Sequence, residues 1–253
     1  MPENKVSYAG QVVVITGAAR GIGAATARLV AERGGKVFAL DIARDGLTAL
    51  QKELSLPDNQ VAVIDLGSQT SVKENIDAIY KITGRIDALI NTAGVVGPTN
   101  VKVEDVKWED FESTVRINLF GTVWLTQAVV PYMKKAKYGR IAHVASIAGK
   151  EGNPGMTPYN VSKSGMIGFV KGVAKEIAPD GITINSLAPA VIRTPMNADT
   201  SDETLKYMIS RIPMGRVGEA EEVAEIWPLW DQAPAHLQQG LPLMHQVDEL
   251  PTN

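Results

Sequence analysis

The chain contains no cysteine among its 253 residues. Disulfides, thiolate zinc sites and cysteine nucleophiles are therefore excluded. Histidine is almost as scarce. His143, His236 and His245 show no metal-ligand spacing, so no catalytic metal is expected. No run approaches the ~18 apolar residues of a membrane span, and residues 1–11 (MPENKVSYAGQ) lack the apolar core of an export signal. A cytoplasmic protein with no membrane partner is expected. Neither sign of charge dominates. The net charge is −3, which offers no basic field for nucleic acid or anionic lipid.

What is present suits an ordinary globular core. Hydrophobic residues make up 45% and charged residues 21%, and 27.1 kDa fits one α/β domain. Apolar, β-branched residues 12–15 have the composition of a strand buried on both faces. Glycines follow at Gly17, Gly21 and Gly23, and residues 24–33 then carry an apolar helical stripe through Ala25, Leu29 and Val30, with Ile22 on the same stripe. Strand, glycine turn and helix form a phosphate cradle: glycine lets the backbone approach a ligand, and a helix N-terminus offers unpaired N–H groups. The same pattern serves a tight βα turn without a ligand. Asp41 adds a second signal. It ends the next apolar run, 36–40, where a dinucleotide site places an acid for the adenosine ribose.

Strand-like and helix-like segments alternate onward, the pattern of a parallel sheet covered by helices. Strands are expected at 61–64, 88–90, 140–145 and 183–187, and helices at 46–54, around 72–80, 108–135, 159–178 and from Glu219. No linker, repeat or low-complexity segment interrupts them, so 1–253 reads as a single domain. Polar residues, a glycine or a proline stand at six strand ends: Gly17, Asp41, Asp65, Asn91, Ser146 and Pro189. Ligands bind at such ends. Tyr159 and Lys163 are four residues apart, on one helix face. A phenol with a pKa near 10 is a poor acid–base group at neutral pH, and a neighbouring ammonium is expected to lower that value. Ser146 stands 13 residues earlier, able to hydrogen-bond a substrate carbonyl. No histidine lies near it in sequence, so a hydrolase triad is unsupported. Asn118 falls inside a helix, where a polar side chain capping a kink is the simplest account.

The motif Thr16-Gly17-Ala18-Ala19-Arg20-Gly21-Ile22-Gly23, then Asn91-Thr92-Ala93-Gly94, Asn118, Ser146 and Tyr159-Asn160-Val161-Ser162-Lys163, in that order, resembles the short-chain dehydrogenase/reductase family over about 8–224. The resemblance implies a Rossmann-like, doubly wound parallel sheet with helices on both faces, a nicotinamide cofactor, and hydride transfer between an alcohol and a carbonyl. It implies Tyr159 as acid–base, Lys163 as its pKa modulator and ribose ligand, Ser146 as substrate orienter, and Asn118 as holder of a relay water. Gly17, Arg20, Gly21, Ile22 and Gly23 would cradle the cofactor; Asp65 and Leu66 would meet adenine; Asn91, Ala93 and Gly94 would line it. Pro189, Ile192 and Thr194 would hold the nicotinamide end. Asp41 favours NAD over NADP, because a carboxylate repels a 2′-phosphate, although Arg20 and Arg44 could soften this.

Three departures stand out. Thr92 replaces the family's second asparagine, and Ala190 replaces its glycine after Pro189. Residues 225–253, rich in proline and holding two of the four tryptophans, diverge from the family's last strand. A homotetramer is implied by the resemblance and put in doubt by this tail. Family members acting on sugar acids and polyols resemble the chain at Pro189-Ala190 and at residues 150–154 (KEGNP), which implies a small polar hydroxy or keto substrate whose hydroxyls Glu151 and Asn153 could reach. Residues 196–214 read as a lid. The competing readings are a 3-oxoacyl thioester reductase using NADPH and a nucleotide-binding regulatory or inactive protein.

Overall fold

The computed structural model describes residues 7–197, 200 and 202–227. From the N-terminus, β1 (Val12–Thr16) leads into α1 (Gly21–Glu32), β2 (Lys36–Asp41) into α2 (Arg44–Leu54), and β3 (Val61–Val63) into α3 (Gln69–Thr83). Next come β4 (Ala88–Asn91), α4 (Trp108–Val115), a π-helical turn over Arg116–Phe120, and α5 (Gly121–Ala136). Then follow β5 (Gly139–Val144), the short α6 (Ala148–Glu151), α7 (Thr157–Ile177), β6 (Ile182–Leu187), β7 (Ile192–Arg193), α8 (Asp202–Ser210), β8 (Gly218–Glu219) and α9 (Ala220–Ala224).

Among the described residues, six strands form one parallel sheet in the order β3-β2-β1-β4-β5-β6. Chain alternation divides its core between two faces. Val13, Ile15, Val37, Ala39 and Ile90 meet α1, α2 and α9, while Val12, Val14, Phe38, Leu40, Leu89 and Ile141 meet α3, α5 and α7. Strands covered on both sides need no polar face, which explains their near-continuous apolar runs. The sheet is doubly wound, as expected. Its order reverses between β1 and β4, so their C-terminal ends open a crevice there.

The expected single helix over 108–135 is two helices joined by the π turn. The short α6, the helix α8 and the pair β7–β8 were not anticipated. Most of the atypical stretch 225–253, where the chain diverges from the family's last strand, lies outside the described residues. Its first residues pack. Trp227 is buried, and its Nε1–H donates to Thr26 Oγ1 at 2.9 Å; Arg33 pairs with Glu225.

Candidate active site

The glycine turn is built for close approach. Gly17 and Gly21 have φ of +72° and +54°, the left-handed region that glycine adopts without strain. A methyl group at Gly23 would stand 2.1 Å from the Gly17 carbonyl oxygen, and one at Gly17 would stand 2.7 Å from the Ala93 nitrogen. The turn therefore nests against the loop after β4. Arg20, the N-cap of α1, provides no side-chain cap, so first-turn N–H groups are left for an acceptor from outside the helix. Asp41 is fixed at the end of β2 by N–H donors from Ala19 at 3.0 Å and Ala43 at 2.9 Å. This places a carboxylate beside an uncapped helix terminus, a donor set that fits a dinucleotide: pyrophosphate on the amides, ribose hydroxyls on the acid.

A cleft of about 320 Å³ runs along the C-terminal strand ends. Gly17, Arg20, Gly21, Ile22, Asp41, Asp65, Leu66, Ala93 and Gly94 line it, as do Ser146, Tyr159, Lys163, Pro189, Ile192 and Thr194. Ile42, Ile64 and Ile117 join them without having been singled out, and so does Thr92, noted only as a departure from the family. Gly23 sits behind the turn. Asn91 does not line the cleft, contrary to expectation. Its side chain is buried, accepting from Thr16 Oγ1 at 2.6 Å and donating to Thr122 Oγ1 at 3.1 Å, with His143 Nδ1 at 3.2 Å. Thr92, the residue that departs from the family, donates its hydroxyl to Thr16 O at 2.8 Å and ties β4 to β1. Of the two polar residues considered for substrate, Asn153 lines the cleft and Glu151 is exposed outside it.

At the middle of the cleft, α7 brings Tyr159 and Lys163 toward the end of β5. The Tyr159 hydroxyl faces Ser146, close enough for that side chain to lower its pKa as a hydrogen-bond partner. Ser146 Oγ also accepts from Ala148 N at 3.1 Å, which fixes it at the start of α6. Lys163 Nζ donates to Val144 O at 2.8 Å and stands 5.6 Å from the Tyr159 ring centre. Burial pushes the Lys163 ammonium down to about 8. The expected lowering of the phenol is not what the structure shows. Burial raises the Tyr159 pKa, and the Ser146 hydrogen bond opposes that only in part. Desolvation penalises the phenolate more than the hydroxyl relieves it.

Asn118 lies in the π turn and is buried. Its Oδ1 accepts from Val95 N at 2.8 Å, and its Nδ2 donates to Val95 O at 2.9 Å and Ser162 Oγ at 3.0 Å. Ser162 in turn donates to Tyr159 O at 2.8 Å. Thr122 Oγ1 donates to Asn118 O at 2.7 Å. The π turn thus pins the β4 loop to the helix that carries Tyr159. Behind it, the hydrogens can be assigned by elimination. Asn91 Oδ1 is taken by Thr16, so Asn91 Nδ2 donates to His143 Nδ1; Thr126 gives its own hydrogen to Thr122 O, so it accepts from His143 Nε2, 3.1 Å away. His143 is neutral and protonated at Nε2, its pKa pushed down to about 3 by burial and by the Lys163 charge.

A nucleotide-binding α/β enzyme is the class this geometry defines. Within it the chain belongs to the short chain dehydrogenase family, whose model matches residues 11–205. The 3-oxoacyl-[acyl-carrier-protein] reductase FabG of Thermotoga maritima is 41% identical over 219 residues, 86% of this chain and 88% of that one. A 2-dehydro-3-deoxy-L-rhamnonate dehydrogenase (NAD(+)) of a Sphingomonas species is 38% identical over 217 residues, covering 86% of each chain. Among solved structures, gox2181 superposes with a TM-score of 0.87 at 30% identity, covering 93% of both chains. The chain is an NAD(P)-dependent oxidoreductase acting on CH–OH groups, interconverting secondary alcohols and ketones.

Proposed function

We propose that the enzyme works with NAD(H), with Tyr159 as the proton donor and acceptor. The convergence of Tyr159, Ser146 and Lys163 beside a glycine cradle carries this reading. When bound, the nicotinamide supplies or accepts the hydride. In reduction Tyr159 would give its proton to the carbonyl oxygen and be reprotonated from solvent, which balances the hydride so supplied to the carbonyl carbon. Ser146 holds the oxygen against the phenol. Lys163, whose Nζ stands 5.6 Å from the Tyr159 ring centre, favours the phenolate formed on proton release and would meet the ribose of a bound nicotinamide. Asn118 has committed its carboxamide to Val95 and Ser162, so a relay water would find only the remaining lone pairs of Oδ1 and the main-chain oxygen. The turn from Gly17 to Gly23 would hold the pyrophosphate, Asp65 and Leu66 would meet adenine, and Ala93 and Gly94 would line the cofactor. Pro189, Ile192 and Thr194 would hold the nicotinamide end.

Asp41 supports NAD over NADP. Both its oxygens already accept backbone N–H groups, so its position is fixed, and a 2′-phosphate brought there would meet a carboxylate that cannot turn away. The Sphingomonas relative, whose name specifies NAD(+), supports the same preference. A 3-oxoacyl thioester reductase is the second reading, supported by the Thermotoga relative. We also read the enzyme as a cytoplasmic homo-oligomer. Trp108, Phe120 and Val161 are 68%, 41% and 44% exposed on elements that pack together, apolar side chains that a second copy could cover. Light scattering of a tetramer should give four times the chain mass.

The chemistry is tested with Tyr159→Phe. Turnover should fall by about 10³-fold, while NADH titration, read by tryptophan quenching, stays within a factor of two or three. Retained turnover would remove Tyr159 from its role. In the same titration NADPH should bind at least about tenfold more weakly than NADH.

A further inference from the structure

The substrate end of the cleft has a composition that constrains what can sit there. Its walls are Val95, Val96, Ile147, Met156, Met196 and Met208. The charged side chains lining the cleft are Arg20, Asp41, Asp65 and Lys163. Three of these stand at the glycine turn and at the ends of β2 and β3, the adenosine side, and Lys163 is bound to Val144 O. Among the described residues, no cation besides Arg20 and Lys163 lines the cleft. A carboxylate or phosphate placed at the substrate end would lose its water without gaining a partner. Three methionines give that wall a polarizable surface that adapts to differently shaped apolar groups.

One polar side chain interrupts the apolar wall. Asn153 is held in place by its backbone: its N–H donates to Asn160 Oδ1 at 3.1 Å, and its carbonyl accepts from Asn160 Nδ2 at 2.8 Å. Asn160 follows Tyr159 on α7, so this two-point clamp sets Asn153 at a fixed place relative to the reacting hydroxyl. The Asn153 side-chain amide itself has one weak contact among the described residues, Nδ2 to Met156 Sδ at 3.8 Å. A rigidly mounted amide, left with hydrogen-bonding capacity in an apolar pocket, is the pattern of a group that fixes ligand orientation.

We propose that the substrate is an uncharged ketone, or the matching secondary alcohol, with an apolar body and a second oxygen that Asn153 hydrogen-bonds. The inference rests on the oxidoreductase reading and narrows it. It disfavours the sugar acid suggested by residues 150–154.

The experiment compares kcat/KM with NADH for three carbonyl compounds: cyclohexanone, a neutral cyclohexanedione, and a 2-keto-3-deoxy sugar acid. The dione should exceed cyclohexanone by at least about tenfold and the keto acid by at least about 100-fold. Asn153→Ala should narrow the ratio of dione to cyclohexanone by about tenfold, the scale of one lost hydrogen bond, with Asn153→Gln restoring part of it. Preference for the keto acid, or an unchanged ratio in Asn153→Ala, would overturn the proposal and leave the oxidoreductase reading intact. Absence of turnover with every carbonyl, with NADH and NADPH alike, would overturn both.

Discussion

Lys163 shows how one side chain can serve the site and burden the fold. Its ammonium is buried on a helix packed against the sheet, and burial moves its pKa from an ordinary 10.5 to about 8. Below pH 8 both folded and unfolded chains carry the charge, and the folded state bears a desolvation penalty on the order of 3 kcal/mol. Between pH 8 and about 10 the unfolded chain binds more protons than the folded one, so stability from this residue rises with pH. Above pH 10 the raised Tyr159 pKa acts in the opposite sense, because the unfolded phenol ionises first. Lys163→Met is therefore expected to lose turnover and to melt several degrees higher than the wild type at pH 7, with the advantage shrinking by pH 9.5. Differential scanning calorimetry across this range reads both the sign and the window. An advantage that does not change with pH would place the effect in packing rather than in charge.

At the scale of elements, the glycine turn and the π turn differ in how plainly the sequence announces them. Three glycines between an apolar strand and an amphipathic helix are legible because backbone freedom is required there and side chains are excluded. Asp41 was legible by its strand-end position for the same reason. The π turn was not, since one extra residue in a helix leaves no compositional mark; Asn118 itself was visible as a polar residue in an unlikely place and through the family resemblance, but not the turn around it. Asn91 was misplaced because a strand-end motif does not tell which face its last side chain takes, and here the buried Thr16, Thr122 and His143 claim it. The sign of the Tyr159 shift is a tertiary property, set by how much water the fold removes. For the turn itself, Gly23→Ala forces a methyl group to 2.1 Å from a backbone oxygen that no rotamer change can move. It should weaken NADH binding by at least tenfold and lower the melting temperature. Gly21→Ala, whose methyl would meet Thr194 at 3.1 Å, should cost less of both. Equal losses would show that the turn can slide as a unit.

Over the whole molecule, the site depends on a residue 201 positions away from the helix it steadies. Trp227 fills the space between α1, α9 and Tyr8 and donates its indole N–H to Thr26, whose own hydroxyl returns to Ile22 O at 2.7 Å. Ile22 is in the first turn of α1, where the cofactor cradle lies. Arg33 at the other end of α1 is held by both carboxylate oxygens of Glu225. The stretch that departs from the family pattern thus begins with two contacts that anchor the cradle helix at its middle and its end. Deleting the indole leaves a cavity in a closed core, at a cost on the order of 3–5 kcal/mol; Trp227→Phe keeps most of the buried apolar surface and loses the hydrogen bond, about 1 kcal/mol. Urea midpoints should fall in that order at constant m. NADH affinity measured below each transition should weaken in Trp227→Ala more than in Trp227→Phe, because the first turn of α1 then loses its brace. A stability loss with cofactor affinity unchanged would mean that the sheet alone holds the cradle, and that α9 and Trp227 serve only to close the core.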